Sequence, residues 1–371
     1  MKIIAMHLPQ FHRIPENDKW WGTGFTEWVN VRNSKPVFEG HNQPRVPYNE
    51  YYYDLTDREA RVWQAQLAKK YGIYGFCYYH YWFNGKKLLE KPIEALLEDK
   101  EPDFPFCLSW ANEPWSRAWE GKETQVLMPQ VYGAEPEWKE HIDYLIKFFK
   151  DPRYIKIDNK PVFLIYRTSS IPDLDRMIEL WTKEVKNSGL QGIYLIETLN
   201  SFQKVSNTEL SDAVMEFEPM FTIKHEISPA AKIKRLLNKK TGQPDILDFN
   251  SIWNIILKRR NVYGKKTIFR GAFSGWDNSP RKGKKATILK HGSPGKFGHY
   301  LRQLAQQKTR ININEDYIFI NAWNEWAEGA YLEPDCSTGF AYLEEIKRLV
   351  NETNTGKEGK IHGYLSSNSY I

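Results

Sequence analysis

The chain has 371 residues, a formal net charge of +6 and an aromatic content of 15%, with 14 Trp and 21 Tyr. Because 52 Lys and Arg are set against 46 Asp and Glu, the charge balance argues against a nucleic-acid-binding protein. The three cysteines are odd in number and widely spaced, which indicates free thiols in a reducing compartment. The aromatic content exceeds what a core requires and points to stacking surfaces.

The N-terminal residues predict where the protein is found in the cell. A short apolar run from Ile3 to Met6 ends at His7, and it is too short for the apolar part of a signal peptide. No stretch approaches the roughly 20 apolar residues that a membrane span requires. We therefore expect a cytoplasmic protein, with membrane association at its periphery as the alternative.

Eight short apolar segments alternate with helical patterns along the chain. The predicted strands are Ile3–Leu8, Tyr74–Tyr79, Pro105–Ser109, Val162–Tyr166, Ile193–Ile196, Ala213–Phe217, Ile268–Phe273 and a last strand that begins at Tyr317. This alternation predicts an α/β fold, a single (β/α)8 barrel over residues 1–351, followed by a C-terminal tail at 352–371. A doubly wound open sheet is the alternative, but it requires a glycine-rich turn after the first strand, and Pro9 begins a segment without glycine there.

The segment between the first two predicted strands is long and irregular. Residues 9–55 carry many aromatic side chains, including Trp20 and Trp21, and long loops inside a compact domain are usually functional. We therefore expect a lid or one wall of a binding cleft. Thr56 is then predicted to begin a helix through a capping box with Glu59, and Gly72 is predicted to end it.

Polar and aromatic side chains gather where most of the predicted strands end. The carboxyl ends of barrel strands meet at one face, where barrel enzymes carry their active sites. In the aromatic run of the second strand, alternation buries every other side chain, and His80 and Trp82 are predicted to face the cleft. The residues predicted to bind a substrate are Glu27, Trp28, His80, Trp82, Trp110, Asn112, Glu113, Trp276, Asn324, Trp326, Tyr331 and Glu333.

The segment after the last strand carries a pair of glutamates. Glu325 and Glu328 are three residues apart, so in a helical turn their Cβ atoms would lie roughly 5–6 Å apart. Carboxyl groups about 5 Å apart suit retaining glycoside chemistry, whereas inverting enzymes need a wider gap for a water molecule. Trp323 and Trp326 add flat faces on which a sugar ring can stack. We predict that the two glutamates are catalytic and act on a polysaccharide or oligosaccharide; solvated glutamates on a surface turn are the alternative.

Neither a catalytic metal nor another cofactor is predicted. No group of His and carboxylate residues in the sequence has metal-ligand spacing. Asp173 and Asp175 match the D-x-D pattern with which many sugar-nucleotide transferases hold a metal. They lie in the predicted first turn of a helix, however, where the helix dipole favours acidic residues.

A segment rich in lysine and arginine separates the sixth and seventh predicted strands, from about residue 224 to 266. The simplest interpretation is a solvated insertion on the rim of the barrel. The functional interpretation is a basic patch that binds an anionic glycan, a lipid-linked glycan or an anionic membrane surface.

Three long motifs resemble a known family. The segments LPQFHRIPENDKWWGTGFTEWVNV, LSWANEPWSRAWEG and NAWNEWAEGAYLEPD occur in this order and together resemble the WbsX-type domain. That domain is related to glycoside hydrolase family 99, the endo-α-mannosidases and endo-α-mannanases. The resemblance spans Ile3 to about Leu349, and it implies a metal-independent retaining barrel enzyme that cleaves an α-mannoside-like linkage.

The resemblance also implies roles for the two glutamates. Glu325 would be the base that engages the 2-hydroxyl group of the substrate and gives a 1,2-anhydro sugar. Glu328 would be the general acid on the leaving oxygen and then the base for the incoming water. From the residues alone, direct attack of Glu325 on the anomeric carbon is an equal alternative.

Three functions are therefore open. WbsX-type proteins often accompany bacterial surface-polysaccharide biosynthesis and are described as glycosyltransferases. The alternative to a hydrolase is accordingly a glycosyltransferase or transglycosylase in the assembly of O-antigen or capsule. The third function is that of a non-catalytic barrel that binds glycans.

Overall fold

A computed structural model of the chain describes residues 1–117, 125–260, 266–307 and 317–366, with side chains described as far as Thr353 except for Lys239. The predicted basic segment is thus described apart from residues 261–265, which lie outside the described residues. Of the predicted tail, residues 367–371 lie outside them as well.

Eight parallel strands close into a barrel. They are β1 (Lys2–His7), β2 (Gly75–Phe83), β3 (Phe106–Trp110), β4 (Lys160–Ile165), β5 (Tyr194–Leu199), β6 (Ala213–Glu216), β7 (Thr267–Phe273) and β8 (Tyr317–Asn321). Each strand pairs with its neighbour in the chain, and β1 pairs with both β2 and β8, with Ile4 opposite Gly75 and Phe319. The predicted (β/α)8 barrel is therefore confirmed, and the open-sheet alternative is wrong because the first strand is bonded on both sides.

Helices lie between the barrel strands in the chain and after the last strand. They are α1 (Pro15–Trp21), α2 (Glu27–Asn33), α3 (Arg58–Lys70), α4 (Lys91–Asp99), α5 (Glu135–Phe149), α6 (Leu174–Asn187), α7 (Met220–His225), α8 (Pro229–Thr241), α9 (Phe249–Lys258), α10 (Ser279–Lys282), α11 (Pro294–Gln306) and α12 (Ala341–Ser366). Short 3₁₀ turns lie at Tyr48–Glu50, Thr168–Ser170, Gly283–Lys285 and Trp326–Glu328. Short additional strands lie at Lys86–Leu88, Trp115–Ser116, Val126–Met128, Lys156–Ile157, Asp245–Asp248, Thr287–Lys290, Asn324–Glu325 and Ala330–Tyr331.

The core lies between the strands and the helices that cover them. Helix α6 is typical, because Met177, Trp181 and Val185 recur every four residues and are all buried. The Trp181 ring also contacts the ring of Phe163 in β4, with 5.9 Å between centroids. Truncating a buried Trp of this kind costs about 3–5 kcal/mol of unfolding free energy. The barrel is therefore a rigid frame from which the loops of the site project.

Several local predictions differ from the structure. Helix α3 begins at Arg58, and the Thr56 hydroxyl donates to the carboxylate of Asp54 at 2.6 Å, so the predicted capping box is wrong. The Thr56 hydroxyl binds Asp54 because Asp54 lies two residues away and forms a local turn. The last helix, α12, continues to Ser366 and so extends beyond residue 351 into the segment that was predicted to be a tail. Within residues 9–55, two short helices, α1 and α2, give the segment more regular structure than predicted.

The described part of the basic segment contains two helices, α8 and α9, that have different surroundings. Phe249, Ile252 and Trp253 of α9 are buried, so this helix is part of the core and not a solvated insertion. Helix α8 instead exposes most of its side chains. Within the described residues, no helix combines the length and the apolar character needed to cross a bilayer.

Candidate active site

A cleft with a volume of about 410 Å³ opens where all eight barrel strands end. This size falls within the range of roughly 300–1,000 Å³ that is usual for ligand sites. Its aromatic lining consists of Trp21, Tyr79, Tyr81, Trp115, Tyr166, Phe202, Phe217 and Trp276. Its charged lining consists of Glu113, Arg281, Lys282, Glu325 and Glu328. The cleft therefore combines ring faces with ionisable groups.

A small hairpin after β8 positions the two glutamates. Asn324–Glu325 pairs with Ala330–Tyr331 in antiparallel fashion, and the 3₁₀ turn Trp326–Glu328 lies between them. Gly329 closes this turn with φ of 60°, a left-handed conformation that glycine adopts at little cost. The predicted helical turn is thus a 3₁₀ turn inside a hairpin, and both carboxylates line the cleft.

One guanidinium group binds three glutamates at this cleft. Arg281 of α10 donates from Nη1 to Glu328 Oε1 at 2.5 Å and from Nη2 to Glu325 Oε2 at 3.3 Å. Its Nε donates to Glu27 Oε1 at 3.0 Å. Such charge-assisted bonds are short and directional, so Arg281 fixes the position of both predicted catalytic carboxylates.

Sequence reasoning missed the role of Arg281. It occurs in a basic run with Lys282, Lys284 and Lys285, and such a run is typical of a solvated surface. The only feature of the sequence that indicated a role for Arg281 at the site was its position shortly after the seventh strand. In the structure the Arg281 side chain is 9% exposed, whereas the three lysines are exposed.

The two glutamates differ in exposure and charge environment. The Glu325 side chain is 8% exposed and that of Glu328 is 21% exposed. Burial raises the pKa of Glu325 well above its usual value, the charge of Glu328 raises it further, and Arg281 opposes both effects. Glu328 makes the shorter contact with Arg281. The arrangement therefore favours a proton on Glu325.

A second ion pair lies in the same cleft. Arg167 Nη1 donates to Glu113 Oε1 at 3.4 Å, and the Arg167 guanidinium lies 4.2 Å from the centre of the Phe202 ring. Burial in the cleft raises the pKa of Glu113 to about 7, and Arg167 opposes this shift. The Glu113 side chain is nevertheless 34% exposed. Burial therefore favours the neutral form of Glu113, whereas Arg167 favours its charged form.

Four of the predicted residues line the cleft: Glu325, Glu328, Glu113 and Trp276. Glu27 lies behind it, fully buried at the start of α2 and bonded to Arg281. Burial raises the pKa of Glu27, and Arg281 opposes this shift. Glu27 therefore contacts the cation that holds Glu325 and Glu328, and it does not line the cleft itself.

The prediction that His80 and Trp82 face the cleft is wrong. Tyr79 and Tyr81 line the cleft, whereas His80 and Trp82 point outward against α5. His80 Nε2 lies 2.8 Å from His141 Nε2, and the Trp82 ring stacks on the His141 imidazole with 4.5 Å between centroids. All four strand residues are aromatic, so the alternating pattern contains no apolar–polar contrast that identifies the inner face.

Four other predicted aromatic residues belong to the core beneath the loops. Trp28, Trp110, Trp326 and Tyr331 are each at most 5% exposed. Trp326 stacks on Tyr331 with 3.9 Å between ring centroids, and Trp28 packs against Trp326 at 5.5 Å. The Trp110 indole donates to a backbone carbonyl of β2 at 3.1 Å. These rings support the loops, which corrects their predicted role as substrate contacts.

Three predicted polar residues tie the loops together. Asn324 accepts from the Leu8 backbone nitrogen at 2.7 Å and donates to the Leu8 oxygen at 3.0 Å. Asn112 makes the same two bonds with the Arg167 backbone, at 2.8 and 2.9 Å. Glu333 is buried and accepts three side-chain hydrogen bonds, and burial raises its pKa to about 7. Their donors and acceptors are used within the protein, so the predicted substrate contacts are corrected to structural ones.

The D-x-D residues lie apart from the cleft lining. Asp173 and Asp175 are at the start of α6, and Asp175 accepts a hydrogen bond from the Thr208 hydroxyl. In the part of the chain that the structure describes, no three His, Cys, Asp or Glu side chains are grouped as metal ligands.

Solved structures with the same fold include glycoside hydrolases. The GH99 endo-α-mannosidase from Bacteroides thetaiotaomicron, in complex with bis-tris propane, superposes with a TM-score of 0.55 at 13% identity, over 96% of this chain and 98% of that one. A structure described as a glycoside hydrolase-like protein gives a TM-score of 0.58 at 12% identity, over 94% of this chain and 93% of that one. At these identities the likeness shows the fold.

Comparison of the sequence identifies the family. Two curated relatives, each described as "Uncharacterized protein WxcX" and each from a strain of Xanthomonas campestris pv. campestris, are 36% identical over 350 residues. The match covers 94% of this chain and 49% of each relative, so the chain spans about half the length of these proteins. Residues 3–346 match the family described as Glycosyltransferase WbsX. The chain therefore belongs to the WbsX glycosyltransferase family.

Proposed function

We propose that this chain cleaves glycosidic bonds in a polysaccharide or oligosaccharide with retention of configuration, with Glu325 and Glu328 as its catalytic pair. The observation that carries the proposal is the contact of both carboxylates with Arg281 in a cleft lined by aromatic rings. Ring faces suit the C–H face of a sugar, and paired carboxyls supply the acid and the base that such a reaction needs.

The proposed roles follow the resemblance to the endo-α-mannosidases. Glu325 removes the proton from the 2-hydroxyl group while that oxygen attacks the anomeric carbon, and Glu328 protonates the leaving oxygen. Water then opens the 1,2-anhydro sugar, with Glu328 as the base and Glu325 returning the proton to the 2-oxygen. An α-mannoside-like linkage is the corresponding substrate.

These roles require a proton on Glu328, whereas the structure favours one on Glu325. Arg281 contacts both carboxylates and is the group that can reverse this preference. If a bound sugar shifts the guanidinium from Glu328 toward Glu325, the acid loses its cation and the base gains one. The charged form of Glu325, which its role as the base requires, then becomes more favourable. Arg281 is accordingly proposed to control which glutamate carries the proton.

Glycosyl transfer is the second candidate function, and the description of the WbsX family favours it. The same pair could pass the glycosyl group to a sugar hydroxyl in place of water, as a transglycosylase does. A transferase that uses an activated sugar donor would differ in requiring that donor for any product. A barrel that binds glycans without catalysis would leave every substrate unchanged.

Two incubations distinguish these functions. The purified chain is mixed with an α-mannan oligosaccharide panel alone, and separately with sugar nucleotides and oligosaccharide acceptors, with products identified by mass spectrometry. Shortened products in the first incubation are expected. Products that form only with a sugar nucleotide would overturn the hydrolase proposal.

Variants test the catalytic pair in the same assay. Glu325→Gln and Glu328→Gln should each lower product formation by at least about a hundredfold, and the matched control Glu98→Gln, at an exposed position of α4, should leave it unchanged. Full turnover by both site variants would overturn the assignment of the pair.

A further inference from the structure

Helix α8 carries apolar side chains on its solvent face. Ile233, Leu236 and Leu237 are 59%, 61% and 56% exposed. They are spaced three and four residues apart, so they lie on one face of the helix. An exposed apolar cluster of this kind marks a surface that binds a membrane, a ligand or another protein.

The inner face of α8 is fixed to the barrel. Ala231 packs against the main core, and Arg235 forms an ion pair with Asp245 and donates to the backbone oxygen of Ile223 at 2.9 Å. Asn238 donates to a neighbouring backbone carbonyl at 3.4 Å. These contacts fix the rotation of the helix, so the apolar face is held outward by the fold.

Both ends of α8 are capped. Ser228 accepts a hydrogen bond from the Ala231 backbone nitrogen at 3.2 Å, and Gly242 ends the helix with φ of 66°. The exposed face therefore belongs to a complete helix of 13 residues, Pro229–Thr241.

Lysines border the apolar face. Lys232 and Lys234 lie about 100° to either side of Ile233, and Lys240 lies one turn after Leu236. All three lysines are exposed, and the sequence from 229 to 241 contains no Asp or Glu. Long lysine side chains can keep their ammonium groups in water while their stems follow an apolar surface.

We infer that α8 docks on the surface of an anionic lipid bilayer. Ile233, Leu236 and Leu237 enter the boundary between headgroups and acyl chains, and the flanking lysines contact anionic headgroups. An uncovered apolar face with cationic borders is the arrangement of helices that lie in the plane of a membrane interface. A second copy of the chain fits less well, because two such faces would bring like-charged lysines together.

The position of α8 relates this surface to the cleft. Helix α7 begins at Met220, which lines the cleft, and residues 226–228 join α7 to α8. Docking through α8 would thus place the bilayer on the helix that follows this cleft-lining segment in the chain. The inference about docking does not depend on the catalytic pair.

Vesicle sedimentation with the full chain tests the inference. Binding to vesicles of phosphatidylcholine with phosphatidylglycerol is expected, with little binding to phosphatidylcholine alone and release at high salt. Leu236→Ser with Leu237→Ser should lower the bound fraction by roughly tenfold, and neutralisation of Lys232, Lys234 and Lys240 to Gln should do the same.

Matched controls separate docking from general effects. Val205→Ser removes an equally exposed apolar side chain elsewhere, and Lys147, Lys150 and Lys183 changed to Gln remove three exposed charges on, or directly after, other helices. These controls should bind vesicles like the unchanged chain. All variants should retain the unfolding temperature, which shows that the barrel is intact.

Three results would overturn the inference. They are no binding of the unchanged chain to anionic vesicles, equal binding of the α8 variants, and equal binding to neutral vesicles. Sedimentation velocity can give a fourth such result. If the unchanged chain forms a dimer and the variant with Leu236→Ser and Leu237→Ser does not, a second copy of the chain covers the apolar face. Cleavage of a soluble oligosaccharide is measured in parallel, so failure of docking and failure of the proposed function are distinguishable.

Discussion

The Arg281 guanidinium lies 2.5 Å from the Glu328 carboxylate, closer than it lies to Glu325 at 3.3 Å. The same side chain also binds Glu27, which is fully buried. Three carboxylates thus share one cation at the mouth of the barrel. This unequal sharing is the basis of the proposal that Arg281 controls which of the two carboxyl groups carries the proton, and it leads to tests of both chemistry and stability.

The first prediction concerns the general acid. Glu328→Gln keeps the shape of the side chain but cannot protonate a leaving oxygen, so kcat should fall by roughly 10²–10⁴-fold on a natural linkage. A substrate with a nitrophenolate leaving group needs no protonation and should lose much less. Steady-state kinetics with both substrates check this, and equal losses on the two would contradict the role of Glu328 as the acid.

The second prediction concerns Arg281 and pH. Arg281→Met removes a positive charge from buried carboxyls, so the pKa of Glu325 and of Glu27, already raised by burial, should rise further. Any limb of the pH profile of kcat/KM that reflects ionisation of Glu325 should then move to higher pH. Arg281→Lys keeps the charge and should move the limb less. An unchanged profile in the Met variant would show that Arg281 has no control over the proton.

Arg281→Met should also destabilise the fold. Glu27 is fully buried and would lose its cation, and breaking a buried ion pair costs about 3–5 kcal/mol of unfolding free energy. Urea denaturation at neutral pH measures this loss. The double change Glu27→Gln with Arg281→Met should recover part of it, because no buried charge is then left without a partner there.

The third prediction concerns the inner and outer faces of β2. Tyr81→Ala removes a cleft wall and should lower kcat/KM while the unfolding free energy changes little, since Tyr81 is only partly buried. Trp82→Ala should instead lower the unfolding free energy by about 3–5 kcal/mol. Kinetics and urea denaturation of the two variants check this contrast. A larger kinetic effect from Trp82 than from Tyr81 would reverse the assignment of the two faces.

The fourth prediction concerns acid stability. Asp277 is buried, which by itself raises its pKa, but a hydrogen bond from His41 and the charge of Arg45 hold the pKa below its usual value. A depressed pKa contributes stability above the ordinary Asp value, and this contribution is lost as the pH falls below that value. Asp277→Asn should therefore lower the unfolding free energy at pH 7 by about 3–5 kcal/mol. The difference in unfolding free energy between this variant and the unchanged chain should shrink as the pH is lowered below 4. A difference that stays constant would contradict a depressed pKa of Asp277.

The sequence by itself determined the architecture and the location of the catalytic candidates. Short apolar runs alternate with helical patterns, and these local periods predicted all eight barrel strands. Glu325 and Glu328 follow the last strand directly in the chain, so the barrel topology already placed them at the face where the loops converge. Both conclusions depend on residues close together in sequence, whose structure local sterics and hydrophobic periodicity largely decide.

Only the tertiary structure decided which side chains meet at the cleft. Arg281 binds Glu27 across 254 positions of the chain, and no local pattern encodes a contact at that separation. The inner face of β2 was equally undetermined, because Tyr79, His80, Tyr81 and Trp82 are all aromatic and the pleat alone selects which two point inward. The electrostatic environment of Glu325 and Glu328 and the choice of residues that line the cleft therefore depend on how the barrel closes. Closure brings distant loops together at one end of the barrel.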